Sequence, residues 1–236
     1  MSISKLLASN LILTLGISMR SGYTIWGVAL IFYLVFLGWH ENWRGPLTES
    51  EIATFTARAQ SKGLSSEQLA RFEIFMRDDD GGEFFMVNLV GFTEGPASHP
   101  ETGAKVDARE LVQSYFRPFA VKILARGGYP AFSALTLSGY IEAWGVAANP
   151  GWDIANLMRY RSRRDLLMLA TEDDFNDIHI YKRTAIASTF AIPAQSIGGA
   201  LVSPRIWIAL FIFSMATLAH ILCLTRRKEN DWRANE

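Results

Sequence analysis

The chain has 236 residues, half of them apolar and only 19% charged, with a formal net charge of zero. A soluble globular chain carries nearer about 25% charged residues, so disorder, a collagen-like repeat and a wholly water-facing surface are excluded, as is a generally basic nucleic-acid binder. A single cysteine, Cys223, excludes an internal disulfide framework and a cysteine metal cluster.

Residues 1–20 open with an apolar stretch, Leu6 to Met19, too short to span a bilayer. Asn10, Thr14, Ser18 and Ser21 recur at steps of four, four and three and draw a polar stripe along a helix. A helix lying in the membrane interface fits this pattern, with packing on a partner's transmembrane helix as the alternative. Ser21 to Trp39 then runs nineteen residues without a charge. At about 1.5 Å rise per residue that covers the hydrocarbon thickness, which predicts a transmembrane helix over 21–40 with Tyr23 and Trp39 as interfacial anchors. Trp39-His40-Glu41-Asn42-Trp43 offers no small-residue cleavage site, which argues against a removed signal peptide.

Residues 41–82 form a helical preface. Thr48-Glu49-Ser50-Glu51 and Ser65-Ser66-Glu67-Gln68 match the capping box, and Ile52 and Phe55, then Leu69, Phe72 and Phe75, supply apolar faces at helical spacing. Asp78-Asp79-Asp80-Gly81-Gly82 is expected to be an exposed turn rather than a calcium loop, because calcium ligands alternate along an EF-hand loop.

Residues 83–195 alternate between strand and helix. Glu83–Phe92 is short and β-rich, Thr93–Val106 is a loop, and Ala108–Arg126 carries Leu111, Tyr115, Phe119 and Ile123 on one helical face. Pro118 is expected to kink that helix and Gly127-Gly128 to end it. Tyr129–Ala143 and Trp152–Arg161 are predicted strands, a second helix starts at Ser162 and restarts toward Arg183, and Ile186–Ala194 is a last strand. This βαββαβ order is the ferredoxin-like α+β plan.

A linker over 196–205 leads to Ile206–Thr225, twenty residues whose one ionisable group is His220. It is predicted to be a second transmembrane helix over 206–225, followed by a basic tail at 226–236. Residues 41–200 carry 16 Lys/Arg against 20 Asp/Glu, whereas the flanks carry 7 against 3. The positive-inside rule therefore assigns both termini to the cytoplasm and the middle segment to the outside. In a bacterium this is a two-pass inner-membrane protein with a periplasmic domain.

Residues 83–195 resemble the DUF1330 group of dimeric α/β-barrel proteins, relatives of EthD-type domains. Met86-Val87-Asn88-Leu89 is similar to that family's opening strand, and Tyr115 with Gly127-Gly128 to its first helix and double glycine. Trp152-Asp153 and Tyr160-Arg161-Ser162-Arg163 are similar to its WD strand and Tyr-Pro-Ser-Arg motif. Arg183-Thr184-Ala185 follows where a His-Arg pair precedes small residues. Arg161 replaces the usual proline and Lys182 the usual histidine, so no acid–base role for that histidine carries over. The resemblance implies a sheet with one face on the helices and the other on a partner.

Strand alternation separates Phe85, Val87 and Leu89 from Phe84, Met86, Asn88 and Val90, and Leu135, Leu137 and Ile141 from Thr136, Ser138, Tyr140 and Glu142. Asn88, Tyr140, Glu142 and Asn156 are then expected to line a cleft between subunits, with Phe84, Met86 and Val90 on the open face. A satisfied polar patch is favoured there over an acid–base site built on Glu142 and Tyr140. The four histidines have no metal-site spacing, and His99 and His179 are expected to be solvated. No HExxH, Walker A, GxGxxG or GxSxG motif stands in a supporting context.

His220, inside a predicted span, is the candidate intramembrane ligand. Residues 203–222 resemble a bacterial light-harvesting α-type helix, whose histidine ligates pigment, but in the opposite orientation. A polar contact with a neighbouring helix is favoured over pigment or haem contact, and the sequence requires no cofactor. The expected function is a non-catalytic accessory or assembly subunit of a larger membrane complex. Its partners would be other membrane subunits or a second copy, with the lipid bilayer and no nucleic acid. The alternatives are a membrane-tethered enzyme or binding protein for a small lipophilic molecule, and a pigment- or quinone-contacting subunit of a photosynthetic or respiratory complex.

Overall fold

The computed structural model describes residues 3–172, 175–198 and 204–233; the side chains of 3–21, 176 and 231 are outside the described set. The chain divides into two units, one formed by residues 1–38 and 199–236 and the other by 39–198.

The described residues of the first unit form two helices, α1 (Ile3–His40, whose last two residues belong to the second unit) and α7 (Pro204–Arg233). Both contain stretches long and apolar enough to cross a membrane, Gly22–His40 with mean hydropathy 1.7 and Pro204–Asn230 with 2.2. The helix is unbroken at residue 20, where the sequence analysis drew a boundary. Ser21-Gly22 alone does not stop it, because a single glycine costs a helix only about 1 kcal/mol. The polar stripe Asn10, Thr14, Ser18 and Ser21 lies outside the described side chains. At the other end α7 starts on Pro204, a residue suited to the first helical position, and the expected basic tail is helical as far as Arg233. Half of the expected linker (199–203) is outside the described residues.

The second unit begins with α2 (Glu49–Ser61) and α3 (Ser66–Arg77), each opened by a complete capping box, on Thr48/Glu51 and Ser65/Gln68. Then come β1 (Phe84–Phe92), a two-residue hairpin of β2 (Ala97–Ser98) and β3 (Lys105–Val106), and α4 (Ala108–Ala125). They are followed by β4 (Tyr129–Leu135), β5 (Ile154–Tyr160), α5 (Arg163–Ala170), α6 (Phe175–Ala185) and β6 (Ile186–Ala194). The main sheet is antiparallel in the order β4-β5-β1-β6. Two central strands flanked by the partners of two βα crossovers is the ferredoxin-like arrangement. Helix α6 passes directly into β6 with no intervening residue.

Pro118 sits inside α4 without ending it. The helix stops at Gly127-Gly128. Gly127 adopts φ +73°, and the Gly128 and Gly127 amides donate to the Ile123 and Leu124 carbonyls, closing a Schellman turn. A Cβ on Gly128 would meet Ile123 Cγ1 at 2.4 Å and the Arg159 carbonyl at 2.8 Å, so only glycine fits this approach of helix to strand.

The sheet face expected to be open is the one that α4 covers. Phe84 is 3% exposed and clusters with Tyr115, Phe119, Ile123, Met158, Tyr160 and Leu169. Alternation defines the two faces of a strand, but both faces of β1 are apolar, so the pattern alone does not say which one meets the helices. Nor does the preface cover the other face. Ile52, Phe55 and Met76 pack on Leu167 of α5. Arg164 fixes this packing by donating to both Glu51 oxygens (2.8 and 3.0 Å) and to the Gly45 and Pro46 carbonyls. The Arg164 hydrogen bonds hold the Glu51 carboxyl at about 2, below the usual carboxylate range.

Two expectations about solvation are also corrected. The Asp79 side chain is 1% exposed, not part of an exposed turn; its oxygens accept from the Leu47 and Gly81 amides and face Arg163 at 3.7 Å. His179 is packed rather than solvated, stacked on Phe175 (5.1 Å) and edge-on to Tyr115 (5.9 Å). Burial first, then the charges of Lys182 and Arg183, pull its pKa from 6.5 to about 4. The unfolded chain therefore takes up a proton near pH 6.5 that the folded one refuses until about pH 4, so stability falls as pH drops through that window. The urea midpoint of the wild type is expected to decline between pH 6.5 and 4, and His179→Phe to flatten the decline. Parallel curves for the two proteins would assign it elsewhere. Glu51 contributes in a separate window, below pH 4.5.

Candidate functional site

The predicted strand Tyr129–Ala143 stops at Leu135, and this dismantles the expected four-residue cleft. Thr136 still donates from its amide to the Asp153 carbonyl, after which the chain leaves the sheet through a segment with positive φ at Gly145 and Gly151. Glu142 lies exposed on that segment. Tyr140 is on it too, its hydroxyl accepting from Trp152 Nε1 at 3.1 Å. The same segment presents Leu137, Ile141, Trp144 and Val146 at 99, 94, 77 and 66% exposure.

Asn88 and Asn156, by contrast, are directly opposite in the β1–β5 register and in contact. Asn88 Nδ2 donates to the Met86 carbonyl and to Asn156 Oδ1, both at 2.9 Å. The bond to Met86 fixes which end of the Asn88 amide is nitrogen, so Asn156 must present its oxygen to Asn88 and keep Nδ2 free. That nitrogen makes no hydrogen bond among the described residues and is not sealed from solvent.

The pair forms part of the wall of a cavity of about 200 Å³ between the sheet and α4, on the helix-covered side. Its walls are mainly apolar and aromatic, including Val90, Phe116, Met158 and Tyr160, with Gln113, Ser133 and Lys182 joining the two asparagines as polar groups. Lys182 comes from α6, with its Nζ 5.6 Å from the centre of the Tyr115 ring. Burial lowers its pKa from the ordinary lysine value and raises those of Tyr115 and Tyr160. In the sequence, Lys182 stands out only as the replacement of a histidine. Its spacing from Ile178, one turn earlier on the apolar face of α6, was the signal that it points inward.

Asp153 and Ser162, two residues of the resemblance, have structural partners, and so does the departing Arg161. Asp153 accepts from the Phe92 amide (2.8 Å) and from Arg109 (3.0 Å), joining β1 to α4. Ser162 caps α5, and Arg161 forms a two-pronged pair with Asp165 at 2.9 and 2.7 Å.

On the uncovered sheet face, Phe132 and Ala134 of β4, Ala155 and Leu157 of β5, Val87 and Leu89 of β1, and Phe190 and Ile192 of β6 lie side by side in register. Phe132, Phe190 and Ile192 are 54, 54 and 55% exposed. One end of this face is closed by Arg159, which is fully buried between Glu83, Tyr129 and the His40 carbonyl. The Trp152 ring packs 5.3 Å from Phe190 and links the face to the 136–151 segment.

Within the two-helix unit, His220 is engaged by its own chain. Trp26 Nε1 donates to His220 Nδ1 at 3.3 Å, and a Cβ on Gly22 would lie 3.1 Å from His220 Nε2. Gly22 thus makes room for the imidazole, and the Trp26 ring also meets Phe213 at 5.3 Å.

A crystallographically solved protein of unknown function from Rhodopseudomonas palustris aligns over 58% of this chain and 96% of its own, at 17% identity and a TM-score of 0.46. A dimeric protein of unknown function with a ferredoxin-like fold, from Bacteroides fragilis, aligns over 49% of this chain and 97% of its own, at 11% identity and a TM-score of 0.28. No protein-family model matches the chain, and no curated protein does.

Proposed function

We propose that the protein is a non-catalytic assembly subunit of a larger membrane complex. Its two apolar helices serve as bilayer anchors with both termini cytoplasmic, and its ferredoxin-like domain is a periplasmic docking module of the DUF1330-like, dimeric α/β-barrel type. The observation that carries this reading is the uncovered apolar surface of the domain. Three large side chains stand more than half exposed on the sheet face, and Leu137, Ile141, Trp144 and Val146 stand out from the 136–151 segment. Apolar surface of this extent marks an interaction site, and tryptophan is the residue type most enriched where binding energy concentrates.

The middle of the sheet face contains no ionisable side chain, so pairing with the same face of a second copy brings no like charges together. We assign that face to self-association and the 136–151 segment to the partner subunit. The protein, extracted from native membranes in mild detergent, is expected to contain two copies and to co-migrate with a larger complex. Phe190→Glu is expected to leave one copy, whereas Trp144→Glu keeps two copies and loses the complex. A wild type that migrates alone as a single copy would sink the proposal. For orientation, Ser98→Cys in a Cys223→Ser background is expected to react with an impermeant maleimide on intact cells; protection there, with labelling after lysis, overturns it.

A further inference from the structure

The cavity under α4 lies on the opposite side of the sheet from the uncovered face, and its formal charge is one-sided. No carboxylate stands among the described residues that line it. Its one charged wall group is Lys182, which has no hydrogen-bond or ion-pair partner among the described residues and rests on the Tyr115 ring. Asn156 adds two unused N–H donors, and the Ser133 hydroxyl is on the same wall. An ammonium brought this far out of water without a counter-charge is costly. A cation and amide and hydroxyl donors lining one cavity, whose walls are otherwise mainly apolar and aromatic, complement an anion with an apolar body.

We propose that this cavity binds a small organic monoanion, a carboxylate carried on an aromatic or branched apolar group. The carboxylate would pair with Lys182 Nζ and accept from Asn156 Nδ2, while the ring or alkyl part lies against Phe116, Met158 and Tyr160. Size supports the same class. An apolar cavity of about 150 Å³ holds benzene, so about 200 Å³ fits a benzoate-sized ligand and excludes a fatty acid of membrane length. Asn88 is a positioning residue. Tied to Met86, it turns Asn156 so that the amide nitrogen, not the oxygen, meets the ligand. An apolar cavity alone would not distinguish an acid from its amide; this donor set would.

The test uses the full chain in lipid nanodiscs with para-fluorobenzoate as probe, followed by fluorine NMR and calorimetry. Para-fluorobenzamide, nearly the same shape without the charge, is the control. Saturable binding of the acid is expected, at least about tenfold tighter than of the amide, as a charge-assisted contact requires. Lys182→Met keeps the side-chain length and removes the charge; it is expected to lose that preference while unfolding at no lower a urea concentration than the wild type. Asn156→Leu is the second variant, expected to weaken the acid more than the amide, because the charged carboxylate makes the stronger bond to the lost donor. Absence of saturable binding at millimolar acid, equal affinity for acid and amide, or undiminished acid binding by a folded Lys182→Met protein would each overturn the proposal.

Discussion

Replacing Arg159 by Ala is expected to lower the unfolding free energy of the α/β unit by about 2–3 kcal/mol, the scale for losing the hydrogen bonds of a charged group whose partner Glu83 keeps 24% of its side chain in water. Arg159 is fully buried. It pairs with Glu83 at 2.6 Å and donates to the Gly127 carbonyl at 2.5 Å and to the His40 carbonyl at 2.9 Å. Its guanidinium also lies 5.5 Å from the centre of the Tyr129 ring. Truncation removes the guanidinium bonds to the Glu83 carboxylate and to the Gly127 and His40 carbonyls at once. Arg159→Lys keeps the charge but cannot reproduce the fork, so it should recover less than half of the loss. Urea unfolding of the full chain in detergent, followed by tryptophan fluorescence, measures both. A loss in the Ala variant of less than about 1 kcal/mol, the worth of an exposed pair, would show that the cluster is not the clasp described above.

Phe84→Ala is expected to cost about 3–5 kcal/mol, as for other buried aromatic truncations. The Phe84 ring stacks on Tyr160 at 5.1 Å with planes 9° apart and meets Phe75 edge-on at 5.4 Å. The β1–β5 register and the end of α3 both rest on it. Phe190→Ala, on the uncovered sheet face, should change the stability of a single copy by less than about 0.5 kcal/mol, as other surface substitutions do. This contrast tests the facing of the sheet. If Phe190→Ala proved the costlier of the two in a single-copy protein, α4 would have to cover the other face.

The sequence made some of this legible and hid the rest for identifiable reasons. The capping boxes at Thr48 and Ser65 and the double glycine after α4 are local devices, and local devices can be read from a few adjacent residues. The strand order follows from the sequence of elements. The facing of β1 does not, because Phe84, Met86 and Val90 are no less apolar than Phe85, Val87 and Leu89, and only the third dimension chooses between them. Tyr140 and Glu142 were lost from the site because alternation continues past Leu135 while the ladder does not. His179 and Asp79 looked solvated because their sequence neighbours are charged, yet each is packed against residues distant in the chain. Strand alternation singles out Asn88 and Asn156, but it does not say that they face α4 rather than a partner.

Helix α6 hands over to strand β6 at Ala185 and Ile186 with no slack between them. Ala185 is fully buried, and its carbonyl accepts from the Thr93 amide at the end of β1, which pins the junction. A loop would absorb small displacements; a direct junction passes them on. Lys182 stands one turn before that junction, and Phe190 and Ile192 lie a few residues beyond it. A guest that drew Lys182 toward the Asn156 amide would pull on the edge strand of the surface assigned to self-association. The interior of the domain and its outer face are joined by a lever whose short arm is a single lysine, so an occupied and an empty domain would present different edges to a neighbour.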